Sequence, residues 1–114
     1  MKSKATNSHD YEVLIVFHPR GSQLKALAGK AGDWVVTTRH VVARPGETIK
    51  WRTVPRVKLE VYLPEAFTES HVQGNGSVTA DLKRNVDLGH FLYEVFCDGQ
   101  LATGGSSPGV IVDT

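Results

Sequence analysis

The sequence predicts an all-β protein, specifically an antiparallel Greek-key β-sandwich of about eight strands. Short segments rich in β-branched and aromatic residues alternate between apolar and polar positions, as strands with one buried face do. Turn signals built from Gly, Pro and Asn separate these segments about every ten residues, the spacing typical of a sandwich. The 114 residues are 40% hydrophobic and 22% charged, which fits an ordinary globular domain. We therefore expect one domain over residues 11–114, preceded by a flexible tail over residues 1–10.

The first half of the chain contains four predicted strands and one ambiguous segment. Residues 22–31 carry leucine and alanine at helical spacing but lie close to two glycines, so a short helix and a loop fit equally well. A Pro-Gly turn at Pro45 and Gly46 reverses the chain between the third and fourth strands. The four strands are Tyr11–Phe17, Trp34–Thr38, His40–Ala43 and Thr48–Arg52.

The second half contains four more predicted strands. Residues 65–71 form a connector with room for one helical turn, and a Gly-Asn-Gly turn at 74–76 leads into the next strand. The strands are Val57–Leu63, Ser77–Leu82, Gly89–Cys97 and a closing strand that ends near Asp113. In Gly89–Cys97 the alternation predicts that Tyr93, Val95 and Cys97 point into the core together with Phe91, and the same pattern places Trp51 inside.

The last quarter of the chain is a strand that ends in the only cysteine, a Gly- and Ser-rich loop over Asp98–Gly109, and a closing strand. This arrangement resembles the C-terminal end of the cupredoxins, the small blue-copper β-sandwiches. The run from Val42 to Trp51, with its Pro-Gly-Glu-Thr-Ile-Lys-Trp centre, also resembles the hairpin that leads to the first copper histidine of that family. The resemblance covers residues 34–113 and implies a cupredoxin-like fold.

The copper ligands of that family are not found at the matching positions. Three residues after Cys97, where the family usually has a histidine, this chain has Gln100, and the loop contains no methionine. The segment from Trp51 to Leu63 contains no histidine. Cys97 is therefore predicted to be a vestigial ligand position, with no metal and no cofactor. The alternative is an electron-transfer or copper-handling protein with an atypical metal site that includes Cys97.

Charge is distributed unevenly along the chain. Residues 1–58 hold eleven Lys/Arg and four Asp/Glu, a net charge of +7, whereas residues 59–114 hold two and eight, a net charge of −6. The cupredoxin resemblance implies that the turn Arg52–Lys58 and the loop Asp98–Gly109 meet at the end of the sandwich where the family binds copper and docks partners. Cations beside free backbone donors favour carboxylate or phosphate groups. We therefore predict a binding or assembly module that recognises an acidic protein surface or a small anion, with the candidate residues Arg52, Arg56, Lys58, Gln100, Ser106 and Ser107.

Several other function classes do not fit the sequence. The chain has no visible acid/base pair, P-loop or nucleophile elbow, so we predict no catalytic residues and no enzymatic activity. The net charge of +1 and the predicted burial of Trp51 argue against nucleic-acid binding. No stretch approaches the roughly 20 apolar residues of a membrane span, and the amino end lacks the apolar core of a secretory signal. A cytoplasmic location is expected, or a periplasmic one if a leader has been removed. The sequence leaves the partner and the oligomeric state open.

Overall fold

A computed structural model describes residues 9–19, 32–102 and 107–114; tail residues 1–8 and the ambiguous segment 22–31 lie outside these ranges. All regular secondary structure in the described ranges is β-strand, and the all-β prediction is confirmed. The strands are β1 Tyr11–Pro19, β2 Gly32–Val36, β3 His40–Ala43, β4 Thr48–Val54, β5 Lys58–Tyr62, β6 His71–Asn75, β7 Ser77–Asp81, β8 Gly89–Leu92, β9 Glu94–Cys97, β10 Gln100–Leu101 and β11 Gly109–Val112.

The described ranges contain eleven strands rather than about eight. The predicted cysteine strand divides into β8 and β9, because its two halves pair with different partners. The strands β6 and β10 were not predicted. β10 exists because Asp98 and Gly99 both adopt positive φ, of 52° and 81°, and connect β9 to β10 as a two-residue hairpin turn. Gln100 is thereby folded back to lie opposite Cys97.

The strands form three hydrogen-bonded ladders with the orders β2-β1-β4-β7, β10-β9-β5-β6 and β3-β11-β8. The predicted β-sandwich is confirmed, and most of its strand pairs are antiparallel; two pairs, β1 with β4 and β11 with β3, are parallel. Parallel neighbours need a long crossover between them. Here β1 ends at Pro19 and β4 begins only at Thr48, while β3 and β11 are separated by most of the domain.

The segment Gly89–Cys97 holds two of these ladders together. Its first half, β8, pairs with β11, and its second half, β9, pairs with β5 and β10. Between the halves, the Tyr93 N–H donates to the Pro108 carbonyl at 3.0 Å, so the backbone stays paired at the changeover. The β10-β9-β5-β6 and β3-β11-β8 ladders thus share one continuous strand.

The core lies between this shared strand and the β2-β1-β4-β7 ladder. Trp51 on β4 is 0% exposed and Tyr93 is 1% exposed, and their ring centroids are 5.3 Å apart at an interplanar angle of 74°. Such edge-to-face contacts add to the free energy gained by removing two large side chains from water. Val95 and Cys97 are also buried and Phe91 is half-buried, which confirms the inward face predicted from alternation.

Candidate functional site

The turn between β4 and β5 and the segment after Cys97 meet at one end of the molecule. The Asp98 N–H donates to the Lys58 carbonyl at 2.8 Å. An end cavity of about 370 Å³ opens beside this contact. It is lined by Phe17, Trp34, Pro55, Val57, Asp98 and Gln100.

Most of the lining of the end cavity is apolar, and one of its polar side chains is already hydrogen-bonded within the protein. Phe17 and Trp34 form one wall, with ring centroids 5.2 Å apart. The side-chain amide Nε2 of Gln100 donates to the Gly32 carbonyl at 3.1 Å, which ties the β10 hairpin to β2. Gln100 therefore has a structural role at the position where the family usually has a copper histidine.

Two of the predicted binding residues lie together in a second depression of about 230 Å³, which we call the arginine pocket. Arg52 Nε donates to Glu12 Oε2 at 2.7 Å, and Arg56 Nε donates to the Asn75 carbonyl at 3.2 Å. Within the described part of the chain, the terminal NH₂ groups of both guanidiniums form no further hydrogen bond. The lining residues are Arg52, Thr53, Arg56, Asn75, Gly76 and Ser77.

Local backbone geometry places the two arginines side by side. Gly76 joins β6 to β7 with a φ of +90°, and an added Cβ there would lie 2.6 Å from Arg56 Cγ, so only glycine leaves room for this side chain. The hydroxyl of buried Thr53 accepts a hydrogen bond from the Val57 N–H at 3.2 Å, within the β4–β5 turn, and the Gly76 N–H donates to the Val57 carbonyl at 2.8 Å, which holds this turn against the β6–β7 turn. The arginine pocket is therefore shaped by buried and tightly bonded backbone.

The charges around the arginine pocket remain predominantly positive. The hydrogen bond from Arg52 holds the pKa of Glu12 below its usual range, and Coulomb attraction from Arg52 and Lys50 acts in the same direction. Glu12 is therefore ionised at neutral pH and offsets part of the Arg52 charge. Among the residues that the structure describes, no carboxylate pairs with Arg56, whereas Lys58 Nζ lies 4.0 Å from Glu60 Oε2.

The six predicted binding residues do not form one cluster. Arg52 and Arg56 share the arginine pocket, and Gln100 belongs to the end cavity. Lys58 lies opposite Asn75 in the β5–β6 ladder and is exposed beside Glu60. Ser107 is exposed before β11, and Ser106 lies outside the described residues.

The Cys97 position does not fit a blue-copper centre. The side chain is 0% exposed and is flanked in the sheet by Leu59 on β5 and Gln100 on β10, neither of which is an imidazole. Burial, followed by the negative charge of Asp98, raises the pKa of the Cys97 thiol to about 12, whereas metals bind the thiolate. In residues 9–19, 32–102 and 107–114, no three His, Cys, Asp or Glu side chains are close enough to hold a metal ion together.

One contact between potential metal ligands was missed in the sequence. His40 on β3 and His90 on β8 have ring centroids 4.9 Å apart, although they are fifty residues apart in the chain. Both strands flank β11, and both side chains point away from the core. The pairing of both strands with β11 is the signal that could have revealed this contact.

Comparison with known proteins identifies the fold. No family model matches the sequence, and no curated protein is significantly similar to it. The structure of copper nitrite reductase from Nitrosomonas europaea matches 93% of this chain with a TM-score of 0.60 and 12% identity. The match covers 49% of that chain, so this chain spans about half the length of the reductase. A reduced Cu(I) form of amicyanin matches 97% of this chain and 90% of its own, with a TM-score of 0.48 and 11% identity. The fold is cupredoxin-like, as the sequence resemblance implied.

No helix among the described residues has the length and apolar character needed to cross a membrane.

Proposed function

We propose that this cupredoxin-like domain is a binding or assembly module that recognises carboxylate or phosphate groups, on an acidic protein surface or a small anion, through the arginine pocket. The observation that carries the proposal is the pair of guanidiniums in one depression, each with Nε bonded to the fold and its terminal NH₂ groups left for a ligand. A planar guanidinium matches a carboxylate or phosphate in a bidentate geometry, and such charge-assisted bonds are among the strongest in proteins.

The surroundings of the arginine pocket favour an anion. Lys50 lies beside Glu12 in the β1–β4 ladder, and its positive charge contributes to the lowered pKa of that carboxyl group. Ser77, at the start of β7, lines the pocket with a hydroxyl group that can donate to an anion oxygen. The fixed Nε bonds reduce the side-chain entropy lost on binding, because each guanidinium is already oriented.

The exposed position of the pocket limits the affinity and makes it dependent on salt. Arg52 has 45% of its side chain exposed, so water and dissolved ions compete with the ligand. We therefore expect weak binding of a single small anion and stronger binding of a surface that presents several carboxylates.

A double charge reversal tests this function. We expect inorganic phosphate and a polyglutamate peptide to shift the backbone NMR signals of Thr53 and of residues 75–77, with affinity falling as NaCl is raised. The variant Arg52→Glu/Arg56→Glu should weaken binding of the peptide by about tenfold or more, since two charge-assisted contacts become repulsive.

The variant Lys83→Glu/Arg84→Glu is the matched control, because it makes the same charge change beyond the other end of β7. It should bind the polyglutamate peptide nearly as well as the wild-type protein. Equal losses in the two double variants would mean that only net charge matters, and an unchanged affinity in the Arg52/Arg56 variant would place the binding site elsewhere. The lack of enzymatic activity and the cytoplasmic location stay predictions from the sequence.

A further inference from the structure

The outer face of the β3-β11-β8 ladder carries the His40–His90 pair. Side chains that point away from the core alternate along each strand, so every second residue of the ladder lies on this face. The outward residues are His40 and Val42 on β3, Gly109 and Ile111 on β11, and His90 and Leu92 on β8.

Gly109 creates the space in which the two imidazoles meet. It is the direct register partner of His40, and it lies between β3 and β8. A Cβ at Gly109 would lie 2.7 Å from Nε2 and 3.1 Å from Cδ2 of His90, so the His90 ring lies across the glycine and reaches towards β3. Any larger residue at this position would push the His90 ring away from His40.

We propose that His40 and His90 together bind a divalent ion of the later first transition series, with Cu(II) preferred. Two imidazole nitrogens on one ion, each about 2.0–2.1 Å from it, bring the ring centroids to about 5 Å from each other. The observed separation is 4.9 Å, with the ring planes 60° apart. The His90 ring packs on Gly109, but within the described part of the chain neither imidazole forms a hydrogen bond or an ion pair, so both can supply a nitrogen.

The composition of this face sets the selectivity. Its outward side chains include no carboxylate, so the protein offers only imidazole nitrogen. Nitrogen ligands suit Cu(II), Ni(II) and Zn(II), whereas Mg(II) and Ca(II) require oxygen, and affinity at such sites peaks at Cu(II). Water or an added ligand completes the coordination. The site is distinct from Cys97, which is buried in β9, and from the arginine pocket.

Titration of the whole protein with Cu(II) tests the assignment. The amide signals of residues 40, 90 and 109 should broaden first in NMR spectra, and calorimetry should give one high-affinity Cu(II) per chain. Zn(II) should bind at the same place more weakly, and excess Mg(II) should not compete. His40→Ala and His90→Ala should each weaken Cu(II) binding by about tenfold or more, because loss of one ligand removes the chelate advantage.

His71→Ala is the matched control, since His71 lies near Glu60 on a different ladder, with Nε2 to Oε2 3.6 Å apart. This variant should retain the high-affinity Cu(II) site. Melting curves and amide spectra without metal identify any variant that fails to fold, and His40→Gln and His90→Gln then replace the alanine variants. Cu(II) affinity that survives loss of either His40 or His90, or broadening centred on His71 or on the amino end, would overturn the proposal.

Discussion

Two regions of the structure that hold potential metal ligands have opposite character. Cys97 lies inside the sandwich, 0% exposed, between Leu59 and Gln100. His40 and His90 lie on the outside of a neighbouring ladder, both exposed and in contact with each other. One region has a thiol with no imidazole beside it in the sheet, and the other has two imidazoles and no thiol.

Burial makes the chemistry of these regions differ more than their ligand types do. A thiol surrounded by apolar side chains stays protonated, and its environment raises the pKa of Cys97 to about 12. An exposed imidazole exchanges ligands freely with water. The fold therefore uses Cys97 as a small core residue, whereas the histidine face is accessible to ions from solution.

The largest expected difference between the regions is in stability. Leu59→Ala, at the fully buried partner of Cys97, should lower the free energy of unfolding by about 2–5 kcal/mol, because it leaves a cavity in the core. The double variant His40→Ala/His90→Ala should change the free energy of unfolding by less than about 0.5 kcal/mol. Urea denaturation measures both values. A smaller loss for Leu59→Ala than for the histidine variant would contradict the core and surface assignments.

The second expected effect is alkaline destabilisation that originates inside the sandwich. The pKa of Cys97 rises from 9.0 to about 12, so its stabilising contribution is complete below pH 9 and is lost as the pH rises towards 12. We expect this group to account for about 2–3 kcal/mol of the stability lost between pH 8 and pH 11.

Denaturation curves across this pH range, compared between wild type and Cys97→Ala, measure the effect. As the pH is raised, the free energy of unfolding of the variant should fall less than that of the wild-type protein. Burial likewise raises the pKa of Tyr93 to about 12. Tyr93→Phe in the Cys97→Ala background should therefore reduce the alkaline loss of unfolding free energy further. A Cys97→Ala variant with the same alkaline slope as wild type would show that the thiol ionises equally well in the folded and unfolded chains.

The third effect belongs to the outer histidine face and is smaller. Cu(II) at ten times its dissociation constant should stabilise the wild-type protein by about 1.4 kcal/mol, because it binds the folded state. A chelator should return the melting temperature to its metal-free value and lower it no further, since we predict that the core folds without metal. If EDTA alone lowers the Tm by several degrees, an ion contributes to the folded core after all.

The smallest effect is expected at the exposed ion pair of the arginine pocket. Arg52→Ala should cost less than about 0.5 kcal/mol at neutral pH, since both side chains are more than a third exposed. Because the pKa of Glu12 is lowered, the contribution of the pair is present above pH 4.5 and is lost as the pH falls below it. The free energies of unfolding of wild type and variant should therefore converge at low pH, as acid denaturation can measure. A difference between them that grows as the pH is lowered would contradict the assignment.

Local periodicity explains which parts of the structure the sequence predicted well. The burial of Trp51, Tyr93 and Cys97 follows from alternation within single strands, which needs no knowledge of strand pairing. Strand β6 was missed because only Val72 in it is β-branched, and because it pairs with β5 alone at the edge of its ladder. The hairpin to β10 could have been predicted, since Asp98-Gly99 is a strong two-residue turn signal.

Sites that join distant segments could not be predicted in this way. Grouping Arg52 with Arg56 needed only sequence proximity, but the pocket also depends on Gly76 approaching from another hairpin. The His40–His90 contact depends on two strands pairing with the same third strand, one parallel and one antiparallel. Such non-local pairings leave no periodic signal in the sequence.

The continuous segment Gly89–Cys97 has a mechanical consequence for the closing strand. In many proteins a short strand opens on its own, with a small opening free energy. Here β11 is paired with both β3 and β8, and the chain runs from β8 through Tyr93 into β9, which pairs with β5 beside the buried side chains of Leu59 and Val61. Displacement of β11 leaves β8 unpaired, although β8 is joined to β9, which remains paired in the core. Residues of β9 and β5, far from β11 in the sequence, therefore resist the opening of β11. We expect amide hydrogens on β11 and β5 to exchange with solvent as one cooperative unit.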